Sequence, residues 1–263
     1  MSEYTIEGVV AYSFPFGESD IVLTVFTPDR GKVKVLVRGG RKGKFAQAQL
    51  FTKADFLLFE GKTFAILKEI KIKENFPLIK EKLKLMVYAS FLAELLLNLL
   101  QPEEKDRESY NVFVYALETF NKGGDPELTL LFTELKLISL AGLSPQLNYC
   151  VICDKKIKSP VYFSALKGGV LCSNCREESK DVINIQREVI SSLIYLNSLP
   201  KLELNWKFSL PLNLKQQLRN VLNRFEEVFL GKRLQSLPLM EKYFLSKERR
   251  DKNETNKAFH CPS

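Results

Sequence analysis

Apolar and polar positions alternate with the two-residue period of β-strands from residue 4 to residue 72, and with a helical period afterwards. In the first region Tyr4 to Tyr12, Asp20 to Thr27, Lys32 to Arg38, Leu50 to Phe59 and Thr63 to Ile72 each put apolar side chains on one face and polar ones on the other. Thr27-Pro28-Asp29-Arg30-Gly31 has proline and glycine where a tight hairpin wants them, and Glu60-Gly61-Lys62 closes a second turn. Short strands in so small a stretch, with no long helix between them, predict a closed barrel of the oligonucleotide-binding (OB) kind, because closure removes exposed edges. An SH3-like barrel or an open meander has the same strand count and stays open at this point.

Phe76-Pro77 marks the change of period, after which Leu83, Val87, Phe91, Leu95 and Leu99 recur along one stripe. Asp125-Pro126-Glu127 reads as an N-cap, a first-position proline and a first-turn acid, opening a helix that carries Leu130, Leu131, Leu135 and Ile138 and stops at Gly142. Ile185 to Leu199 and Pro211 to Leu230 are two more, the last ended by Gly231. The fold class is therefore α+β: an OB barrel over residues 1–75, a helical bundle over 76–245 with an insertion at about 147–180, and a polar tail at 246–263 expected to be disordered.

The insertion contains Cys150-Val-Ile-Cys153 and Cys172-Ser-Asn-Cys175, four of the five cysteines of the chain. Two residues between thiolates let one tight turn present both sulfurs to a single ion, and two such turns complete a tetrahedron. This predicts one structural zinc on Cys150, Cys153, Cys172 and Cys175, with no position open to substrate. The sole histidine, His260, sits beside Cys261 in the tail, where nothing holds an imidazole rigidly, so histidine-dependent catalysis is not expected.

Charge adds a partner. The 263-residue chain has a formal net charge of +8, and between Arg30 and Lys44 it carries Arg30, Lys32, Lys34, Arg38, Arg41, Lys42 and Lys44 with no acid. Lys32, Lys34 and Arg38 share one strand parity and Val33, Val35 and Val37 the other, so one face is core and the other a cationic stripe suited to a phosphate backbone. Gly39-Gly40-Arg41-Lys42-Gly43-Lys44 continues it as a basic loop expected to be flexible. It is no Walker A loop, because three residues separate Gly39 from Gly43 and Phe45 stands where a hydroxyl ligand is needed. Tyr12, Phe14, Phe16 and Phe45 are candidates to stack on bases, Phe45 first because it lies in the loop. The start, MSEYTIEGVV, reads as a strand and not a secretory leader, and Leu83 to Leu100, broken by Lys84, Glu94 and Asn98, reads as a buried helix and not a membrane span. A cytoplasmic chain, associated with the nucleoid, is expected.

The run Ala141-Gly142-Leu143-Ser144-Pro145-Gln146-Leu147-Asn148-Tyr149-Cys150-Val151-Ile152-Cys153 and the earlier Val37-Arg38-Gly39-Gly40-Arg41-Lys42 resemble the bacterial RecO family of recombination mediators, and the likeness extends over about residues 1–245. Asp154 departs from the glycine that often follows the first knuckle in that family, which puts the knuckle turn in question but not the ligands. The resemblance implies a non-enzymatic DNA-repair protein that binds single- and double-stranded DNA and anneals complementary strands. It also implies action with RecR, capture of the C-terminal tail of the single-stranded-DNA-binding protein, and indirect help in loading RecA. A rim around the last helix formed by Arg219, Lys232 and Arg233 is the candidate for that tail. Two rivals share parts of the pattern: an RNA- or ribosome-associated zinc-ribbon protein, and a metal-dependent nuclease. The nuclease needs clustered carboxylates, whereas Glu103-Glu104 and Glu226-Glu227 read as solvated helix faces.

Overall fold

A computed structural model of the chain describes residues 2–101, 104–158, 161–199 and 209–245. The tail at 246–263, with His260 and Cys261, lies outside the described residues, as does Glu103. The barrel strands are β1 (Glu3–Phe16), β2 (Asp20–Thr27), β3 (Gly31–Val37), β4 (Lys53–Phe59) and β5 (Ala65–Glu74), closed in the order β1-β2-β3-β5-β4. β3 runs parallel to β5 through Val35↔Ala65 and Leu36↔Ile66, and β1 closes antiparallel on β4. A meander would set β4 beside β3; this Greek-key order is the OB fold. Val10, Leu23, Val25, Val35, Val37, Phe56 and Leu58 fill the interior.

β1 runs four residues past the expected end at Tyr12. Pairing with β4 stops at Val9 and Val10 exchanges backbone hydrogen bonds with Thr52 and Phe51, so only the stretch beyond them, with Pro15, is bordered by β2 alone. A bulge between Val10 and Tyr12 bends the strand there.

The helices are α1 (Pro77–Glu81), α2 (Leu83–Leu99), α3 (Arg107–Asn121), α4 (Pro126–Leu140), α5 (Arg187–Ser198), α6 (Leu212–Leu230) and α7 (Leu237–Leu245). Between α4 and α5 a small sheet forms from β6 (Val161–Ser164), β7 (Gly169–Leu171) and β8 (Ile183–Ile185), in the order β7-β6-β8. α3 is absent from the sequence reading. Its signal is there in Asp106, whose carboxylate accepts from the Ser109 amide at 2.8 Å, and in the buried series Tyr110, Phe113, Leu117 and Phe120. Among the described residues no helix is long and apolar enough to cross a membrane. The greasy stretch is α2, buried on most sides, although Leu83 at its start is exposed.

One apolar core joins the parts. Val9, Ala11 and Phe26 on the outside of the barrel pack with Phe51, Phe76 and Tyr110 into the core that the helices build, and Val161, Phe163 and Val170 of the small sheet enter the same core. Phe163 meets Phe225 edge-on at 6.2 Å. The region at 147–180 therefore has apolar anchors of its own besides the four cysteines.

α4 is buried on all sides from Leu128 to Ile138, and the two charged residues in that stretch are matched from inside. The Lys136 ammonium donates to the carbonyls of Asn197 and Leu199 at the end of α5, at 2.6 and 2.7 Å. Glu134 takes both terminal nitrogens of Arg219, which also lies 3.3 Å from Glu226 and over the Phe91 ring. Arg219 is therefore a core residue and cannot be part of a surface rim. Glu226, read as solvated, is buried too: burial first, and the neighbouring Glu134 second, push its carboxyl well above the usual range.

Removing one partner of this cluster strands a buried charge. Arg219→Met is expected to lower the unfolding free energy by about 3–5 kcal/mol in denaturant titration. A loss no larger than that of an exposed arginine such as Arg233 would contradict the burial of the pair.

Candidate nucleic-acid interface and metal centre

β3 alternates as its sequence requires: Val33, Val35 and Val37 face the barrel interior, and Lys32, Lys34 and Leu36 face out. The outward lysines differ. Lys34 is exposed, whereas the Lys32 ammonium donates to the carbonyls of Leu97 and Leu100 at 2.9 and 2.7 Å, neutralising the C-terminus of α2. Burial pulls its pKa down. Lys32 thus ties the barrel to the bundle and is withdrawn from the cationic stripe.

A groove of about 1000 Å³ opens beside it, lined among others by Tyr4, Thr24, Arg30, Lys34 and Lys105 and by one acid, Asp29. The Arg30 guanidinium lies 4.4 Å over the Tyr4 ring, a contact that fixes a cation without neutralising it. Lys105 is an addition that no local pattern signals, because only the fold carries it some seventy positions along the chain to Lys34.

The basic loop has a defined backbone. A short 3-10 turn, Gly40–Lys42, stands between Gly39 at φ 70° and Gly43 at φ 88°, conformations that favour glycine. A Cβ on Gly40 would lie 2.6 Å from Ile21 Cγ1, so that glycine allows the loop to press on β2. The Asp20 carboxylate accepts from the Gly39 amide at 2.8 Å, the Arg41 amide donates to Ser19 at 2.9 Å, and the Arg41 guanidinium donates to the Gly17 carbonyl at 3.1 Å. The loop is in this way fastened to the β1–β2 turn, leaving Arg38, Lys42 and Lys44 at the surface. Phe45, the first choice for stacking, packs against the barrel core at φ 56°. Tyr12 and Phe16 are the open aromatics, at 53% and 44% exposure.

The four cysteines converge. Their sulfurs lie within 4.8 Å of one another, with Cys153 and Cys172 at 3.7 Å, so the cluster is able to hold one metal ion. The first knuckle closes through the Asp154 amide donating to the Cys150 carbonyl at 2.9 Å, with Asp154 at φ 55°. Aspartate tolerates this left-handed position better than most residues, so the turn survives the departure from glycine. Burial pushes the Cys150 thiol up, but the amides of Cys153, Cys172 and Ile152 outweigh it and hold the thiol down at about 6. Cys175 is pushed up to about 12, first by burial and then by hydrogen bonds with the other three thiols. Four thiolates so close repel one another unless a cation sits between them.

The expected partner-tail rim does not assemble. Arg219 is in the core, and Arg233 is bridged to Glu227 at 3.3 Å and Glu241 at 2.9 Å, which leaves Lys232 as the exposed cation of the three without a carboxylate pairing described for it.

Comparison with known proteins agrees with this architecture. A family model described as "Recombination protein O N terminal" matches residues 1–76, and one described as "Recombination protein O C terminal" matches residues 80–238. The DNA repair protein RecO of Exiguobacterium sibiricum is 28% identical over 238 residues, covering 89% of this chain and 95% of that protein. The RecO proteins of Caldanaerobacter subterraneus and Clostridium acetobutylicum are each 30% identical, over 85% and 91% of this chain and 92% and 98% of their own lengths.

The Gly39 amide holds the Asp20 carboxyl below its usual value of 3.8, with Ser19 and the charges of Arg38 and Lys42 adding to the effect. A depressed carboxyl stabilises the loop above its ordinary value and releases it as pH falls through the lower one. The Gly39 amide resonance is thus expected to move only below pH 3.8, and Asp20→Ala to speed hydrogen exchange across residues 39–44 at neutral pH. Unchanged exchange would mean that the loop is held by other contacts.

Proposed function

The chain belongs to the recombination protein O (RecO) family of DNA repair proteins, and we propose that it is a recombination mediator that acts by binding, without catalysing a reaction. It would bind single- and double-stranded DNA, anneal complementary strands, and with RecR help RecA onto strands coated by the single-stranded-DNA-binding protein. What supports the DNA part is the OB barrel with Arg30, Lys34 and Lys105 along one groove and the exposed Arg38, Arg41, Lys42 and Lys44 just past the end of β3. β3 alone extends about 20 Å, at about 3.3 Å per residue, enough to face several successive phosphates. Cations that contact phosphates and not base edges give affinity without sequence preference, as strand annealing requires. RecR and the tail of the single-stranded-DNA-binding protein are proposed from family membership; the site for that tail is not the rim first expected. Such a protein works in the cytoplasm, at the nucleoid.

We propose zinc for the cysteine cluster. Zn–S bonds of about 2.3 Å put tetrahedral sulfurs about 3.8 Å apart, and Cys153 and Cys172 are 3.7 Å apart. Cys150, Cys153, Cys172 and Cys175 would fill all four positions, so the ion holds structure and leaves no place for a reacting water.

Replacing Arg38, Lys42 and Lys44 together by alanine is expected to reduce the slope of log affinity against log salt by about 2 for a single strand, at about 0.7 for each lost phosphate contact. Lys32→Met should leave the slope alone and lower stability. An unchanged slope in the triple variant would place the DNA elsewhere. The intact protein should also speed pairing of complementary oligonucleotides without any nucleotide, an effect that fades with salt; a requirement for ATP would contradict the non-enzymatic reading.

Chelation of the metal should raise hydrogen exchange in residues 148–156 and 172–178, which the knuckles hold. β6 and β7 should stay protected, because Phe163 and Val170 are anchored in the bundle core. Loss of protection across the whole of residues 147–180 would show that the metal also holds the sheet.

A further inference from the structure

The strand register assembles a second column of side chains beside the cations. Antiparallel partners point to the same face of a sheet. Tyr12 pairs with Thr24 and Thr24 with Lys34, making one outward row across β1, β2 and β3. Phe14, Val22 and Leu36 form the next row, and Phe16 follows opposite Asp20, where β3 gives way to Arg38. The outer face therefore carries rings on β1, short side chains on β2, and cations along β3 and just past its end.

The two columns stand two strand spacings apart, at most about 10 Å of backbone, and Val22 and Thr24 between them are buried under their neighbours. Phe16 braces edge-on against Phe64 at 5.5 Å, so the end of β1 touches the connection between β4 and β5. Tyr12 and Phe14 are 6.1 Å apart, centroid to centroid. Burial does not explain Tyr12 and Phe16: they are 53% and 44% exposed, although either would gain by joining a core.

Resting on the DNA-binding reading above, we propose that Tyr12 and Phe16 stack on the unpaired bases of single-stranded DNA while Lys34 and Arg38 hold its phosphates. A nucleotide lying across the sheet reaches both columns at once: its phosphate meets a cation and its base a ring face. A duplex offers the same phosphates but keeps its bases stacked inward, so the rings favour single strands. The bulge between Val10 and Tyr12 makes this possible, since it lies where β1 passes from the docked residues Val9 and Ala11 to the open row.

The test uses the intact protein and three fluorescent probes of equal length: an oligothymidylate, an abasic strand with the same phosphates, and a duplex. Wild type should bind the oligothymidylate more tightly than the abasic strand. Tyr12→Ala and Phe16→Ala should each weaken oligothymidylate binding about tenfold, leave the abasic strand, the duplex and the salt slope unchanged, and melt like wild type. Tyr12→Trp should restore or exceed wild-type binding. Equal binding of oligothymidylate and abasic strand by wild type, or equal loss on all three probes in the variants, would overturn the proposal. If the abasic strand and the duplex show no salt-dependent binding at all, the cationic surface itself fails, which is a separate result.

Discussion

A closed five-stranded barrel has to fill its interior with alternate residues, and everything on its other face must then be covered or put to use. Closure through β1–β4 and β3–β5 commits Val10, Leu23, Val25, Val35 and Val37 to the inside. Their neighbours in sequence are forced outward. Val9, Ala11 and Phe26 are covered by the helices. Farther along β1 and β3, and just past the end of β3, Tyr12, Lys34 and Arg38 are exposed, so the helical bundle leaves that part of the outer face open.

Positive charge has two uses in this molecule. Lys32 and Lys136 each place an ammonium on the carbonyls that end a helix, and Arg219 lies between two carboxylates in the core. These cations fix how the barrel, α2, α4 and α5 meet; withdrawn from water, they offer nothing to a phosphate. The cations of the loop have no such task, apart from Arg41, which divides its groups between the β1–β2 turn and the surface. The backbone of the loop is held with Asp20 as the pivot, while the side chains of Lys42 and Lys44 stay exposed.

The metal segment shows the same division between local and shared stability. The two knuckles are short turns with little apolar surface, and their thiolates repel one another until a cation joins them. The sheet between them is secured by Phe163 against Phe225, a contact independent of any ion. Cysteine spacing therefore foretells the cluster but not how much of its neighbourhood depends on it.

Local rules made a good part of this protein readable in advance. A two-residue period gives strands, Asp125-Pro126 opens a helix, Gly231 ends one, and paired C-x-x-C turns bring four sulfurs together, because each depends on residues only a few positions apart. The OB class followed from strand count and length, but the parallel β3–β5 pairing that sets it apart from a meander depends on contacts between distant strands. Lys32, Lys34, Arg219 and Glu226 all look alike as charged residues on amphipathic elements. Whether each meets water, a helix end or a buried counter-charge is decided by what packs against it from up to a hundred positions away. The rings were visible too, yet Phe45 was favoured over Tyr12 and Phe16 because nearness in sequence to the basic loop stood in for nearness in space. The folded loop packs Phe45 against the barrel core, and strand register, a property of the closed barrel, lines Tyr12 and Phe16 up with the cations.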